Sequence, residues 1–311
     1  MIDSEKPRVM VCEVGPRDGL QNEDRSLAPQ TRIELVNQLS SAGCERIEAV
    51  SFVHPKRVPQ MAEAESVMNG ITRRPGTTYS GLVLNLRGAQ RAIGCGIERI
   101  NFAFAVTETF NQRNQGRSTD ESLNEFGQIA EMARESGVPC TATLGASFGC
   151  PFEGEVAVER VASLANAVTG VGADEIVIAD TIGVGVPTQV IDLVRAVRDT
   201  VGELAIGCHF HNTRNTGIAN AATALMEGVQ ILDASVGGAG GCPFAPRATG
   251  NIPTEDLAYM LEGMGYAVPI DLKALIGVAE WLEPELGHVL PGMVKQAGVD
   301  WHQSSAGVAG A

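Results

Sequence analysis

Eight short runs of apolar and β-branched residues, spread along nearly the whole chain and separated by stretches of helical periodicity, constrain the fold more than any other feature. The runs cover residues 9–14, 46–50, 79–84, 99–103, 141–145, 175–179, 204–208 and 230–234. Strands that alternate with helices pair in parallel, because each crossover returns the chain to the same end of the sheet, and eight such strands can close on themselves. The expected fold is an α/β TIM (β/α)8 barrel with extra C-terminal helices. An open doubly wound sheet is the alternative, but the GxGxxG turn that usually follows its first strand is missing. Helix ends are marked by Pro29 and Pro187 in first-turn positions, and by Ser118-Thr119-Asp120-Glu121 as a capping box before the stripe Leu123, Phe126, Ile129, Ala130, Ala133. Gly137 and Gly202 close theirs. Two further helical patterns, 254–264 and 271–281, follow the eighth run and would cover the barrel or form a contact between copies. Residues 1–291 read as a single domain, and 292–311 as a small, polar, flexible tail.

Composition narrows the class. A length of 311 residues with 44 % hydrophobic and 19 % charged residues describes a folded α/β protein. The net charge of −14 disfavours nucleic acid or an anionic membrane as a partner. Seven cysteines without a CxxC pair suggest free thiols in a reducing compartment. The polar start and the absence of a long apolar run lead to a cytoplasmic expectation.

Barrel chemistry gathers at the C-terminal ends of the strands. His209 and His211 sit two apart after an apolar run, so on a strand both imidazoles project to one side and can share a metal. The first strand ends in Glu13-Val14-Gly15-Pro16-Arg17-Asp18-Gly19, the second carries Glu48 and Ser51, and the sixth ends in Asp180. An aspartate, two histidines and a neutral oxygen donor at one mouth suit a divalent cation. Each residue has a plainer alternative. Asp18 can be a turn residue before Gly19, Arg17 a structural partner of Glu48, Asp180 and Asn251 helix caps. Cys242 lies in a glycine-rich stretch, where a partly exposed thiol can act as an acid or base.

Together these segments resemble a known family. Val14-Gly15-Pro16-Arg17-Asp18-Gly19-Leu20-Gln21-Asn22-Glu23, Ser51-Phe52-Val53-His54-Pro55-Lys56, Gly149-Cys150-Pro151-Phe152-Glu153-Gly154, Asp180-Thr181-Ile182-Gly183-Val184-Gly185 and Gly240-Gly241-Cys242-Pro243-Phe244 are similar to the 3-hydroxy-3-methylglutaryl-CoA lyases, in register from about residue 8 to 290. The resemblance implies a metal-dependent TIM-barrel lyase that splits a 3-hydroxyacyl-CoA by retro-Claisen cleavage, as in leucine breakdown. It implies Mg2+ or Mn2+ on Asp18, His209, His211 and Asn251. Catalytic roles would fall to Arg17, Asp18, Glu48, Asp180, His209 and Cys242. The expected partner is an acyl-CoA, and the expected assembly a homodimer or larger homo-oligomer.

The departures point to the acyl group. Where the family usually reads His-Asp-Thr-Tyr-Gly, this chain has His211-Asn212-Thr213-Arg214-Asn215, and after the loop cysteine Pro246-Arg247-Ala248 replaces a small neutral stretch. His54 and Arg57 replace the usual Ser and Trp. Two added arginines near the mouth suggest a different or additional carboxylate, so Arg214 and Arg247 join Arg17, Gln21 and Ser51 as expected substrate contacts. Ordinary exposed charge is the alternative for both. A citramalyl- or methylmalyl-type thioester is the alternative substrate, and a Claisen-type synthase or a non-catalytic binding protein lies further away.

Overall fold

The computed structural model describes residues 6–241 and 250–300. Its eight parallel strands close into a barrel in chain order, with the last hydrogen-bonded to the first. They are β1 (Met10–Glu13), β2 (Arg46–Ser51), β3 (Thr78–Val83), β4 (Arg99–Ala105), β5 (Cys140–Gly145), β6 (Glu175–Asp180), β7 (Ala205–Phe210) and β8 (Ile231–Ala234). The outer ring comprises α1 (Pro29–Ser41), α2 (Ala64–Gly70), α3 (Leu86–Gly94), α4 (Glu108–Gln115), α5 (Thr119–Glu135), α6 (Val158–Gly170), α7 (Pro187–Val201) and α8 (Gly217–Met226). After the barrel come α9 (Thr254–Gly263), α10 (Leu272–Leu286) and α11 (Met293–Ala297). The expected cap signals work as read: Pro29 and Pro187 open their helices, and Ser118 and Glu121 exchange both bonds of a capping box at 3.1 and 2.7 Å.

Strand alternation separates two interiors. Between strands and helices lies the apolar core, where Phe102 of β4 packs against Phe126 of α5 with ring centroids 5.5 Å apart. Inside the barrel the residues are largely polar. Arg46, Arg99 and Glu175 open β2, β4 and β6, alternate strands that contribute to one layer. Arg46 grips both oxygens of Glu175 at 2.8 and 2.9 Å, and Arg99 lies 3.7 Å from the same carboxylate while donating to Thr141 at 3.0 Å. An ionic floor thus seals the N-terminal end, and the C-terminal end stays open.

Four details differ from the sequence expectation. β7 runs to Phe210 rather than 208, because Ala179 and Asp180 of β6 and Asp233 of β8 pair with its last residues. α10 continues to Leu286 past Pro284, which falls in its last turn. α4 was not anticipated, since Glu-Thr-Phe-Asn-Gln-Arg-Asn-Gln carries a single large apolar residue and so no readable stripe. Within the expected flexible tail, residues 293–297 form α11, tied down by Asp256, which accepts from Val294 N–H at 2.7 Å, and by a Lys295–Glu283 ion pair at 2.5 Å.

Two fully buried carboxyls tie the open end together. Glu13, the last residue of β1, accepts from the N–H groups of Gly15 and Val236 at 2.7 and 3.0 Å and from the Thr254 hydroxyl at 2.6 Å. It therefore joins the turns after β1 and β8 to the start of α9. Glu255 places both oxygens 2.9 Å from the Gly237 N–H. Burial pushes Glu13 up to about 7 and Glu255 up to about 8 from ordinary carboxyl values of 4.5. Carboxyls that hold their protons more tightly folded than unfolded contribute stability that is complete below about pH 4.5 and is lost as the pH rises to about 8. Glu255→Gln, neutral throughout, is expected to flatten the decline in unfolding free energy between about pH 5 and pH 8 in urea titrations. An unchanged slope would show that Glu255 is not titrating there.

Candidate active site

After β1 the chain turns at once through a single wide helical turn, Gly15–Gly19. The N–H groups of Arg17, Asp18 and Gly19 converge on the Val14 carbonyl at 3.1, 2.7 and 3.2 Å. Single turns of this kind recur at functional sites. Glycine is required at its start, because a Cβ on Gly15 would lie 2.6 Å from the Glu13 carboxylate that braces the turn. Arg17 and Asp18 are thereby set in the wall of a cavity of about 670 Å3 at the C-terminal mouth of the barrel.

Opposite them, His209 and His211 project from the end of β7 into the same cavity. The segment after residue 249 pairs with that strand end: His211 bridges Asn251, Gly250 accepts from Asn212 N–H at 2.8 Å, and Ile252 N–H reaches the Phe210 carbonyl. Asn251 is thus brought beside the histidines, and its Nδ2 donates to Asp18 Oδ2 at 2.9 Å. Asp18, His209 and His211 each offer a ligand atom, all within 4.8 Å of one another. The two Nε2 atoms are 3.1 Å apart, and ligands about 2.1 Å from a common cation at a right angle sit about 3 Å from each other. Asn251 Oδ1 is buried without a hydrogen-bond partner while its Nδ2 is engaged, which leaves that oxygen for a cation. The mixed oxygen and imidazole set fits a divalent metal.

Electrostatics agree. Burial opposes the charge of Asp18, yet Arg17 and the two imidazoles outweigh it and hold the carboxyl well below the usual range. Burial and the neighbouring His209 push His211 down to about 4, so its ring is neutral at neutral pH, as a ligand must be. Burial lowers His209 too, but the Asp233 hydrogen bond and the charge of Asp18 leave it raised overall. His209 Nδ1 meets Asp233 Oδ2 at 3.1 Å, the carboxylate–imidazole contact that orients a ligating ring and leaves its other nitrogen free.

Arg17 is pinned from behind. Its Nε donates to Glu48 Oε2 at 2.5 Å and its Nη1 to Asp18 Oδ1 at 2.6 Å. Glu48 is buried beneath the cavity rather than in its wall, and burial raises its carboxyl against the pull of Arg17. Asn101 donates to Glu48 Oε1 at 2.8 Å and accepts from Thr143 at 2.8 Å.

Of the other expected residues, Gln21 lines the cavity. Asp180 is fully buried and accepts from the N–H groups of Val184 and Gly185 at 3.0 and 2.8 Å, bracing its own loop outside the cavity wall. Ser51 is buried and also outside the wall. Arg214 donates to the carbonyls of Ile182 and Gly183 at 3.1 and 2.8 Å and does not line the cavity. Cys242 and Arg247 lie outside the described residues. His54 and Arg57 do line the mouth, together with Arg117 and the α4 residues Phe110, Asn114 and Gln115.

The model of the HMGL-like family matches residues 8–282. The chain belongs to the HMGL-like family. It is 44 % identical over 93 % of its length to the (R)-citramalyl-CoA lyase of Chloroflexus aurantiacus, covering 95 % of that protein. It is 42 % identical over 91 % of its length to a hydroxymethylglutaryl-CoA lyase of Bacillus subtilis, also covering 95 %. Among solved structures, an HMG-CoA lyase from Acinetobacter baumannii in complex with coenzyme A and 3-methylmalate superposes with a TM-score of 0.92 at 39 % identity, covering 97 % of this chain and 99 % of that one. The protein is a carbon–carbon lyase of this family. No helix among the described residues is long and apolar enough to cross a membrane.

Sequence reasoning missed three polar residues of this HMGL-like site: Asp233, Asn101 and Thr143. Each stands on an inward position of a strand read only as apolar, and the usable signal was a lone polar residue in Ile231-Leu232-Asp233-Ala234 and in Ile100-Asn101-Phe102. Asp233→Asn is expected to weaken divalent-cation binding by about 10- to 100-fold, read by calorimetric titration with Mn2+. Affinity equal to the unaltered protein would remove Asp233 from any part in orienting His209.

Proposed function

We propose that this protein cleaves 3-hydroxy-3-methylglutaryl-CoA between C2 and C3, releasing acetyl-CoA and acetoacetate, with Mg2+ or Mn2+ held by Asp18, His209, His211 and Asn251. The observation that carries this reading is the convergence of those four residues with Arg17 at one barrel mouth in a chain of this family. A divalent cation bound there supplies Lewis acidity that lowers the pKa of a hydroxyl held against it.

The chain's own residues account for the rest of the reaction. The C3 hydroxyl proton passes to a base of the cavity wall: Asp18 where His209 holds the cation, or His209 where it does not. Asp18 has two oxygens and can serve a cation with one and a proton with the other. His209, with Nδ1 engaged by Asp233, has a single lone pair, so it is ligand or base but not both. As the C3 carbonyl forms, the electrons of the C2–C3 bond pass into the thioester enolate. Arg17, held rigid by Glu48, is placed to stabilise the enolate oxygen without reorganising. Cys242 is the proposed acid that protonates C2, a role that rests on the family resemblance.

A second reading is cleavage of citramalyl-CoA to acetyl-CoA and pyruvate. It is favoured by the 44 % identity to a citramalyl-CoA lyase and by His54 and Arg57 in the cavity wall. That substrate carries its carboxylate directly on C3, so the acyl end is shorter by one methylene.

The test is product analysis by mass spectrometry with Mg2+ or Mn2+ and both thioesters. Acetoacetate from the first compound, lost on EDTA treatment and restored by metal, supports the leading reading. Pyruvate from the second alone would establish the other, and no cleavage of either would overturn both. Arg17→Gln is expected to lower kcat by about 100- to 1,000-fold while cation affinity stays near that of the unaltered protein. Parallel loss of metal binding would mean that Arg17 acts by building the cation site.

A further inference from the structure

A line of side chains crosses the barrel interior from β5 to the turn after β1, with Thr143, Asn101 and Arg17 in the cavity wall and Glu48 behind it. Thr143 Oγ1 donates to Asn101 Oδ1 at 2.8 Å, Asn101 Nδ2 donates to Glu48 Oε1 at 2.8 Å, and Arg17 Nε donates to Glu48 Oε2 at 2.5 Å. We infer that Asn101 is a positioning residue for the lyase reaction, holding the Glu48 carboxylate in the plane from which it fixes the Arg17 guanidinium, with Thr143 bracing the Asn101 amide from the other side.

The geometry is directional. Glu48 accepts with both oxygens, one from each side, so its carboxylate is held at two points. Remove the Asn101 donor and one buried oxygen is left unpaired, free to turn towards Arg17 or Asp18 and to alter how the guanidinium divides between them. Asn101 can donate to Glu48 only with its amide in one of two orientations. The Glu48 carboxylate, which only accepts, selects that orientation, because a flipped amide would set its oxygen against it, and the Thr143 hydroxyl braces the selected amide by donating to Oδ1. Fully satisfied interior networks of this kind rigidify the groups at their ends. Here the end is the guanidinium that faces the cavity, and displacement of such a group by about 1 Å costs on the order of 100-fold in rate.

This inference rests on the assigned lyase chemistry for its kinetic arm and on coordinates for its structural arm. With whichever thioester the unaltered protein cleaves, Asn101→Leu is expected to lower kcat by about 10- to 100-fold with KM changed less than about threefold and Mn2+ affinity unchanged. Thr143→Val is expected to lower kcat by a smaller factor, Thr143→Ser to restore it, and the Asn101→Leu/Thr143→Val double variant to fall no further than Asn101→Leu alone. Crystal structures of the variants should show the Glu48 carboxylate rotated about its terminal bond and Arg17 displaced. If Asn101→Leu fails to fold, the Thr143 pair carries the test. Unchanged kcat in Thr143→Val, a rise in KM without loss of kcat, or Glu48 and Arg17 superposing on their present positions would each overturn the inference. A protein that cleaves no thioester defeats the assigned chemistry instead, and the crystallographic arm still decides the network.

Discussion

The site depends on keeping Asp18 ionised although its carboxylate is largely taken out of water. A carboxylate taken out of water reverts to its acid unless positive charge and hydrogen-bond donors replace the lost hydration. Arg17 supplies one, Asn251 another, and His209 adds its field. These groups come from the turn after β1, the end of β7 and the segment after residue 249, so ionised Asp18 is also the point where three parts of the chain are held to one another. Glu13, buried at the end of β1, does the mechanical part by fixing the two turns through their backbone N–H groups.

The barrel interior is organised around this requirement rather than around apolar packing. Stability comes chiefly from the shell between strands and helices, where Phe102, Phe126, Leu35 and Ile176 are all fully buried. The inside is left for charges in pairs: Arg46 with Glu175 at the floor, Arg17 with Glu48 above it. Breaking such a buried pair on one side leaves an uncompensated charge and is costly, whereas intact pairs add little to net stability. Their value lies in direction, as where Glu48 fixes the Arg17 guanidinium.

Much of this was legible in the sequence and some was not, for identifiable reasons. Eight apolar runs separated by capped helices describe the barrel because period-2 and period-3.6 burial leave strong marks on sequence. His209 and His211 were legible because two histidines in register on a strand end are uncommon, and Arg17 and Asp18 because their motif is compact. Asp233, Asn101 and Thr143 were not, since an inward-facing polar residue in a buried strand looks like noise until its neighbours across the barrel are known. Arg214 is expected from the sequence either as a substrate contact or as ordinary charge, and the sequence did not show that its guanidinium donates to the Ile182 and Gly183 carbonyls, because a cation that completes loop carbonyls and one that meets substrate have the same local sequence.

Gly241 and Gly250, which flank residues 242–249, are each hydrogen-bonded to another part of the barrel mouth. Asn22 donates to the Gly241 carbonyl at 3.0 Å, and Asn212 N–H to that of Gly250 at 2.8 Å. Whatever residues lie between, Asn251 is delivered to the same place beside His211. Cation binding and the intervening stretch are therefore separable under selection. Changes in the stretch between these two anchors leave the donors of the cation site in place.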